Sequence, residues 1–254
     1  FLALGRGIRQ GDAFLLLQAS PFLFLLDFLF TLSLSKWYNL SMKQKSTDYI
    51  KKYKICVSGS AAFDNCAPDR CLPGHCTPQA KELAKEVGRQ IVKQGAILLT
   101  GATTGIPYWA AVGANEANGI SIGFSPASTE REHVKVYRLP TDMYDVIVYT
   151  GFNYAGRNLL LTRASDAVII ICGRMGTLNE FTVAFEDKKP VGVLEGSGGT
   201  ADRIDSLLKG GYRGKKKVIA SPYPDVLVRE IIKMVKLEKD NNHKGRAKQR
   251  AKNK

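Results

Sequence analysis

The central part of the sequence lacks the basic excess that the whole chain shows. The net charge is +14, but residues 1–54 carry +5 and residues 236–254 carry +6, which leaves +3 for residues 55–235. A domain that binds nucleic acid concentrates basic residues on one face of its fold. We therefore expect no nucleic-acid binding by the central part. We interpret the basic end of the chain as a solvated tail, with weak RNA binding as the alternative.

The last part of the chain also lacks apolar side chains that would anchor it. The segment HKGRAKQRAKNK, from His243 to Lys254, has two alanines as its only apolar residues. Low hydrophobicity combined with high net charge is typical of disordered chains. The composition therefore predicts a disordered basic tail over residues 236–254.

A complete targeting signal is lacking at the N-terminus. Residues 13–34 are the most apolar stretch and are about long enough to cross a bilayer, but they contain Gln18, Pro21 and Asp27. They lack an adjoining basic region and a clean cleavage site made of small residues, both of which a signal peptide needs. A membrane anchor is the alternative interpretation of this stretch.

The first methionine is Met42, and we interpret it as the true start of the protein. Residues 1–41 are then a translated upstream hydrophobic segment, and residues 42–53 are a basic lead-in to the first strand. With this start, we expect a cytoplasmic protein that makes no contact with a membrane.

Cysteines are few and odd in number: Cys56, Cys66, Cys71, Cys76 and Cys172. An odd number without a convincing secretion signal is typical of reduced thiols in the cytosol. A zinc site at Cys66, Cys71 and Cys76 is an alternative, but spacings of four residues are at the loose limit for such sites, and the adjacent His75 and Cys76 do not easily reach one ion together. We favour reduced thiols and a protein that requires no cofactor.

From Lys54 onward, short β-rich runs alternate with helical segments. Several runs are continuously apolar, which is typical of strands buried on both faces of a parallel sheet. The predicted strands are Ile55–Ser60, Ala96–Gly101, Ile120–Ser125, Val146–Gly151, Ala167–Gly173, Val191–Gly196 and Val218–Ser221. We therefore predict an α/β fold over residues 54–235, with a single Rossmann-like, doubly wound parallel sheet of about seven strands and helices on both faces.

Four residues give start signals for the helices. Thr77 is a predicted N-cap because a proline follows it at the first helical position. Thr177 and Thr200 are further predicted helix starts, and Pro224 begins the last helix.

Small and polar residues follow four of the predicted strands, where a doubly wound sheet binds its ligands. Glycines permit close backbone approach, and hydroxyl groups supply hydrogen-bond donors. The candidate ligand-binding residues in these segments are Gly59, Ser60, Gly101, Ala102, Thr103, Thr104, Gly105, Gly173, Arg174, Met175, Gly176 and Thr177.

Two aromatic residues and one histidine lie near these segments. Tyr108 and Trp109 are candidates for stacking on a base, although such aromatics more often pack a helix on a sheet. His133 is the best placed of the three histidines for donating a proton. We leave it out of the catalytic set because a lone histidine is usually an ordinary surface residue.

The segment 171–180 carries two glycines from a buried strand into the start of a helix. Free N–H groups and the positive end of the helix dipole suit a phosphate there. Thr177 adds a hydroxyl donor and Arg174 a positive charge. In the alternative interpretation, Thr177 and Glu180 form a capping box, and Glu180 bonds only a backbone N–H. Spacing alone leaves both interpretations open.

This segment resembles the PGGxGTxxE motif of the Lonely Guy (LOG) family of Rossmann-like nucleotide-binding proteins. In the motif's order, the matching residues are Cys172, Gly173, Arg174, Gly176, Thr177 and Glu180. The segment Gly156-Arg157-Asn158 resembles the one that carries the family's functional arginine. Asn158 after the arginine is closer to the molybdenum-cofactor carrier proteins of the same superfamily.

The resemblance implies an activity: hydrolysis of the N-glycosidic bond of a nucleoside 5′-monophosphate, a phosphoribohydrolase reaction. Glu180 would stabilise an oxocarbenium-like transition state, and Arg157 would hold the phosphate or Glu180 itself. The resemblance further implies that Asn158 belongs to the binding site and that the protein is a homo-oligomer.

Three departures from the family pattern favour a second hypothesis. Cys172 replaces the proline, Arg174 replaces the second glycine, and Asn179 stands where LOG enzymes often have another glutamate. These changes affect the reaction more than ligand binding. The alternative is therefore a carrier or sensor of a phosphorylated pterin or nucleotide, without turnover.

Overall fold

The computed structural model describes residues 52–61, 75–211 and 217–252, with side chains described as far as residue 241. The predictions for residues 1–51, and those for Cys66 and Cys71, lie outside the described residues. None of the described helices combines the length and the hydrophobicity that a membrane span requires.

Seven parallel strands form one sheet in the order β4-β3-β2-β1-β5-β6-β7. The predicted strands are all present, and their ends differ from the predicted ends by at most two residues. The strands are β1 Lys54–Gly59, β2 Ile97–Thr100, β3 Ser121–Ser125, β4 Val146–Tyr149, β5 Ala167–Ile171, β6 Val191–Leu194 and β7 Val218–Ser221.

Helices cover both faces of this sheet, as the doubly wound fold predicts. The helices are α1 Ala80–Lys93, α2 Ile106–Glu116, α3 Glu130–Lys135, α4 Asn153–Ala164, α5 Met175–Glu186, α6 Ile204–Gly210 and α7 Pro224–Lys252. One core lies between the sheet and α1, α2 and α7, and a second lies between the sheet and α4, α5 and α6. All five residues of β5 are buried, because both cores meet at this central strand. The Rossmann-like α/β prediction is confirmed.

The predicted helix cap at Thr77 is wrong. Helix α1 begins at Ala80 with Gln79 at its N-cap and no side-chain capping bond. The main-chain N–H of Thr77 donates to the carbonyl of Ser197 at 3.0 Å, and this bond keeps Thr77 in the connection before the helix. Thr200 also makes no capping bond, because its hydroxyl donates to the carbonyl of Arg174 at 3.1 Å.

The predicted disorder over residues 236–254 is also wrong as far as Lys252, where helix α7 ends. Lysine, arginine, alanine and glutamine are good helix formers, so the tail sequence favours a helix once one has started. Two ion pairs join the first part of this segment to the domain, Glu238 with Lys217 at 2.8 Å and Lys239 with Asp166 at 2.9 Å.

Cys76 and Cys172 form a disulfide, so the prediction of reduced thiols is wrong for these two residues. The fold brings them together because Cys76 forms a β-bridge with Gly198, and the neighbouring Ser197 hydroxyl accepts from the Cys172 N–H. Cys56 is buried as a free thiol, and burial raises its pKa well above the usual range. The disulfide also removes Cys76 from the alternative zinc site.

We expect the disulfide to stabilise the domain, because it joins residues separated by 96 positions. Loss of a native disulfide typically costs about 2–5 kcal/mol, which in a domain of this size corresponds to a fall in Tm of roughly 5–20 °C. Thermal unfolding followed by circular dichroism, with and without a dithiol reductant, measures this effect. The Cys76→Ser variant should have the lower Tm without reductant, and the reductant should not lower that Tm further. Equal reductant effects on both proteins would contradict the prediction.

Candidate functional site

A cavity of about 330 Å³ lies beyond the carboxyl ends of β1, β2 and β5. The strand order reverses at β1, so the segments that follow β1 and β5 diverge and leave a crevice there. Ten of the fifteen predicted site residues line this cavity, at the carboxyl edge of the sheet where the sequence predicted a ligand site. They are Gly59, Ser60, Gly101, Thr103, Arg157, Asn158, Arg174, Gly176, Thr177 and Glu180.

The other five predicted residues, Ala102, Thr104, Gly105, Gly173 and Met175, do not line the cavity. The Thr104 hydroxyl donates to the carbonyl of Ala61 at 2.7 Å and so ties two segments together. At Gly105, φ is +74° and a Cβ atom would lie 2.2 Å from the carbonyl oxygen of Ser60, so only glycine fits. The Met175 side chain is 77% exposed. Thr104 and Gly105 therefore shape the segment after β2.

The glycine segment, residues 172–177, follows β5 and leads into helix α5. This helix begins at Met175, with Arg174 at its N-cap and no side-chain capping bond. Thr177 is therefore inside the helix, and the capping-box interpretation of Thr177 and Glu180 is wrong. The first N–H groups of a helix have no acceptor within it, and here the first turn faces the cavity through Gly176 and Thr177. This is the geometry of an anion-binding helix N-terminus.

Glu180 is buried, with 6% of its surface exposed, and its side chain reaches back to β1. The Ser58 hydroxyl donates to Oε2 of Glu180. We assign the orientation of the Asn158 amide from its surroundings, so that its NH2 group donates to Oε1 of Glu180 at 3.0 Å and to the carbonyl of Tyr154 at 2.9 Å. Burial raises the pKa of the Glu180 carboxyl, while the nearby Arg157 charge and the Ser58 bond oppose that rise.

Arg157 is equally buried, at 6% exposure, and pairs with Glu180 through an Nη1 to Oε1 distance of 3.6 Å. Its guanidinium lies directly against Gly101, where a Cβ atom would be only 1.7 Å from Nη1. Any larger residue at position 101 would displace the guanidinium. The glycine after β2 therefore serves to admit the arginine side chain.

A supporting segment, residues 196–201, forms hydrogen bonds with the backbone of the glycine segment. The Cys172 N–H donates to the Ser197 hydroxyl at 2.8 Å, and the carbonyl of Gly173 accepts from the Thr200 N–H at 2.9 Å. Cys172 has φ of +51°, which proline cannot adopt. The glycine segment at this position therefore differs in backbone from a motif with proline there.

The structure also shows site residues that the sequence analysis missed. Val57, Ala61, Pro107 and Tyr154 line the cavity, and Ser58 bonds Glu180. Tyr154 carries a signal in the sequence, since it precedes Arg157 by one helical turn and so shares its helix face. Ser58 carries none, because its partner lies 122 positions away.

The aromatic and histidine candidates lie elsewhere. The Trp109 ring is covered by the Lys81 ammonium group at 3.9 Å from its centroid, and the Tyr108 hydroxyl donates to Asp142 at 2.9 Å. His133 is fully buried rather than on the surface. Its two ring nitrogens bond the Ser125 hydroxyl and the carbonyl of Pro140, so it holds the connection after β3.

We expect Gly101→Ala to destabilise the domain by about 1–3 kcal/mol, the usual cost of overpacking. In an Arg157→Ala background the same change should cost little, because the clashing guanidinium is gone. Urea unfolding of the single and double variants measures both costs. Gly210→Ala is the control, since nothing lies within 4 Å of a Cβ atom there. Additive effects of the Gly101 and Arg157 changes would contradict the described contact.

Comparison with known proteins agrees with this fold. A family model described as the SLOG cluster4 family matches residues 53–228. An uncharacterized protein of Archaeoglobus fulgidus is 28% identical over 113 residues, which cover 44% of this chain and 69% of that protein.

Two solved structures share the fold over almost their whole length. The molybdenum cofactor binding protein of the phototrophic bacterium Rippkaea orientalis is 26% identical with a TM-score of 0.57, and the match covers 73% of this chain and 99% of that one. The Moco carrier protein of Chlamydomonas reinhardtii is 26% identical with a TM-score of 0.56, over 74% of this chain and 99% of that one. The predicted resemblance to LOG-like proteins near the molybdenum-cofactor carriers is confirmed, and the chain belongs to the SLOG cluster4 family.

Proposed function

We propose that this protein binds a phosphorylated small molecule of nucleotide or pterin type in the cavity and acts as its carrier. The observation that carries the proposal is that the buried Arg157 and the N-terminus of α5 line the same cavity. Each of these elements attracts anions, and together they suit one phosphate group better than either does alone.

The charge of the cavity supports an anionic ligand. Its charged lining residues are Arg157, Arg174 and Glu180, and Glu180 already pairs with Arg157. Arg174 has an exposed side chain at the cavity, and Thr177 supplies a hydroxyl donor in the first turn of α5. A phosphate would therefore meet positive charge, free N–H groups and a hydroxyl at one place.

The partners of Glu180 favour a carrier over a hydrolase. Its carboxylate accepts from Ser58 and Asn158 and faces Arg157, so its oxygens are already occupied by protein groups. In this arrangement Glu180 fixes the position of Arg157 and Asn158. Among the proteins of similar structure, two are described as molybdenum cofactor binding or carrier proteins, which supports a binding or carrier function.

Hydrolysis of a nucleoside 5′-monophosphate is the second candidate, and one observation favours it. Glu180 lines the cavity, and burial raises its pKa. A carboxyl group with a raised pKa beside a bound sugar suits acid–base chemistry and the stabilisation of an oxocarbenium-like transition state.

We expect the wild-type protein to bind AMP or GMP, measured by isothermal titration calorimetry. Arg157→Ala should weaken binding about 10- to 100-fold, because it removes a charge-assisted hydrogen bond to the phosphate. Arg163→Ala is the matched control, since Arg163 lies on the same helix with its side chain 61% exposed. Equal losses in both variants, or no binding to the wild type, would overturn the proposal.

Turnover distinguishes the two candidates. A carrier should leave AMP and GMP intact during long incubation, as measured by chromatography of the free bases. Glu180→Gln should then weaken binding by releasing Arg157, whereas Glu130→Gln, an exposed change on α3, should not. Catalytic release of base that Glu180→Gln abolishes would replace the carrier with the hydrolase.

A further inference from the structure

Tyr154 is the aromatic surface of the cavity. Among the described residues that line it, only Tyr154 has an aromatic ring. Tyr154 lies in the first turn of α4, and 48% of its surface remains exposed. A large part of the ring is therefore free to contact a ligand.

Contacts on the protein side hold this ring in place. The Tyr137 ring meets it edge to face at a centroid distance of 5.7 Å, and the Tyr137 hydroxyl donates to Oδ1 of Asn153 at 2.7 Å. The carbonyl of Tyr154 accepts from the Asn158 amide at 2.9 Å. A side chain that is already ordered loses little conformational entropy when a ligand packs on it.

The ring also lies beside the anion-binding groups. The Arg157 guanidinium carbon is 5.7 Å from the centroid of the Tyr154 ring. A ligand whose phosphate reaches Arg157 and the start of α5 therefore has the rest of its molecule within reach of the Tyr154 ring. The cavity of about 330 Å³ is at the lower end of the usual range for ligand sites, so it suits one mononucleotide or a similar compact molecule.

We propose that Tyr154 stacks on a planar heteroaromatic ring of the ligand and so selects phosphate esters that carry such a ring over plain sugar phosphates. The inference rests on the proposed function, since it assumes that the phosphate binds at Arg157 and α5. Stacking on an aromatic side chain tolerates different bases because each base has a π-face. Tyr154 thus sets the class of ligand, while the anion-binding groups supply affinity common to the whole class.

The test compares two kinds of probe, AMP and GMP on one side and ribose 5-phosphate on the other, by calorimetry on the full chain. Tyr154→Ala should raise the Kd of AMP and GMP about 10- to 100-fold, the range expected for a lost stacking contact. The Kd of ribose 5-phosphate should change less than about threefold, because that ligand has no ring to stack.

Two control variants accompany the test. Tyr154→Phe keeps the π-face and should bind AMP within about threefold of the wild type. Tyr223→Ala removes another exposed tyrosine, which lies in the connection between β7 and α7, and should leave both Kd values unchanged. Thermal unfolding of each variant verifies that it is folded.

The outcomes separate the inference from the proposed function. An equal loss of affinity for nucleotides and ribose 5-phosphate in Tyr154→Ala, or no loss at all, overturns the stacking role while phosphate binding stands. Wild-type binding of ribose 5-phosphate as tight as that of AMP and GMP also overturns it. If none of the three probes binds the wild type, the proposed function fails, and the inference fails with it.

Discussion

The buried pair of Arg157 and Glu180 is the interaction on which the site depends. An isolated charge is costly to remove from water, so each of these two side chains requires the other, and removal of either partner typically costs about 3–5 kcal/mol. The pair sits on α4 and α5, Ser58 joins it from β1, and Gly101 after β2 gives the guanidinium its space. Four separate elements are thereby held at fixed distances around one cavity.

A second set of contacts fixes the glycine segment after β5. The supporting segment 196–201 bonds the backbone of Cys172 and Gly173, and the disulfide joins Cys172 to the connection before α1. Under the proposed function these backbone N–H groups bind a phosphate, and a backbone that is ordered before the ligand arrives loses less entropy on binding. The supporting segment and the disulfide provide that order.

The structure gives physical reasons for two of the departures from the LOG motif. Cys172 replaces proline at a position where φ is +51° and where the side chain forms the disulfide. Arg174 replaces a glycine but keeps its side chain exposed at the cavity. Its charge is therefore added to the cavity at the N-cap of α5. Both changes agree better with altered ligand binding than with loss of the site.

Much of the fold follows from local patterns. Continuous apolar runs marked every strand within two residues of its ends, because burial on both faces of a parallel sheet leaves no alternation. Small and polar residues after β1, β2 and β5 line the cavity, because the segments that follow parallel strands meet at one edge of the sheet. Helix starts were predicted less well. Thr77 and Thr177 have capping side chains in sequence, but tertiary contacts move the helix starts to Ala80 and Met175.

Local sequence patterns predicted only part of the candidate site. The small and polar residues after the strands predicted which edge of the sheet carries the cavity, and the family resemblance singled out Arg157 and Glu180, since glycine segments and motifs are local features. Only the tertiary structure decided that Glu180 bonds Ser58, that Cys76 pairs with Cys172, and that Tyr154 rather than Trp109 faces the cavity. Each of these contacts joins side chains from different elements or depends on how helices dock on the sheet, and no local pattern of residues encodes that geometry.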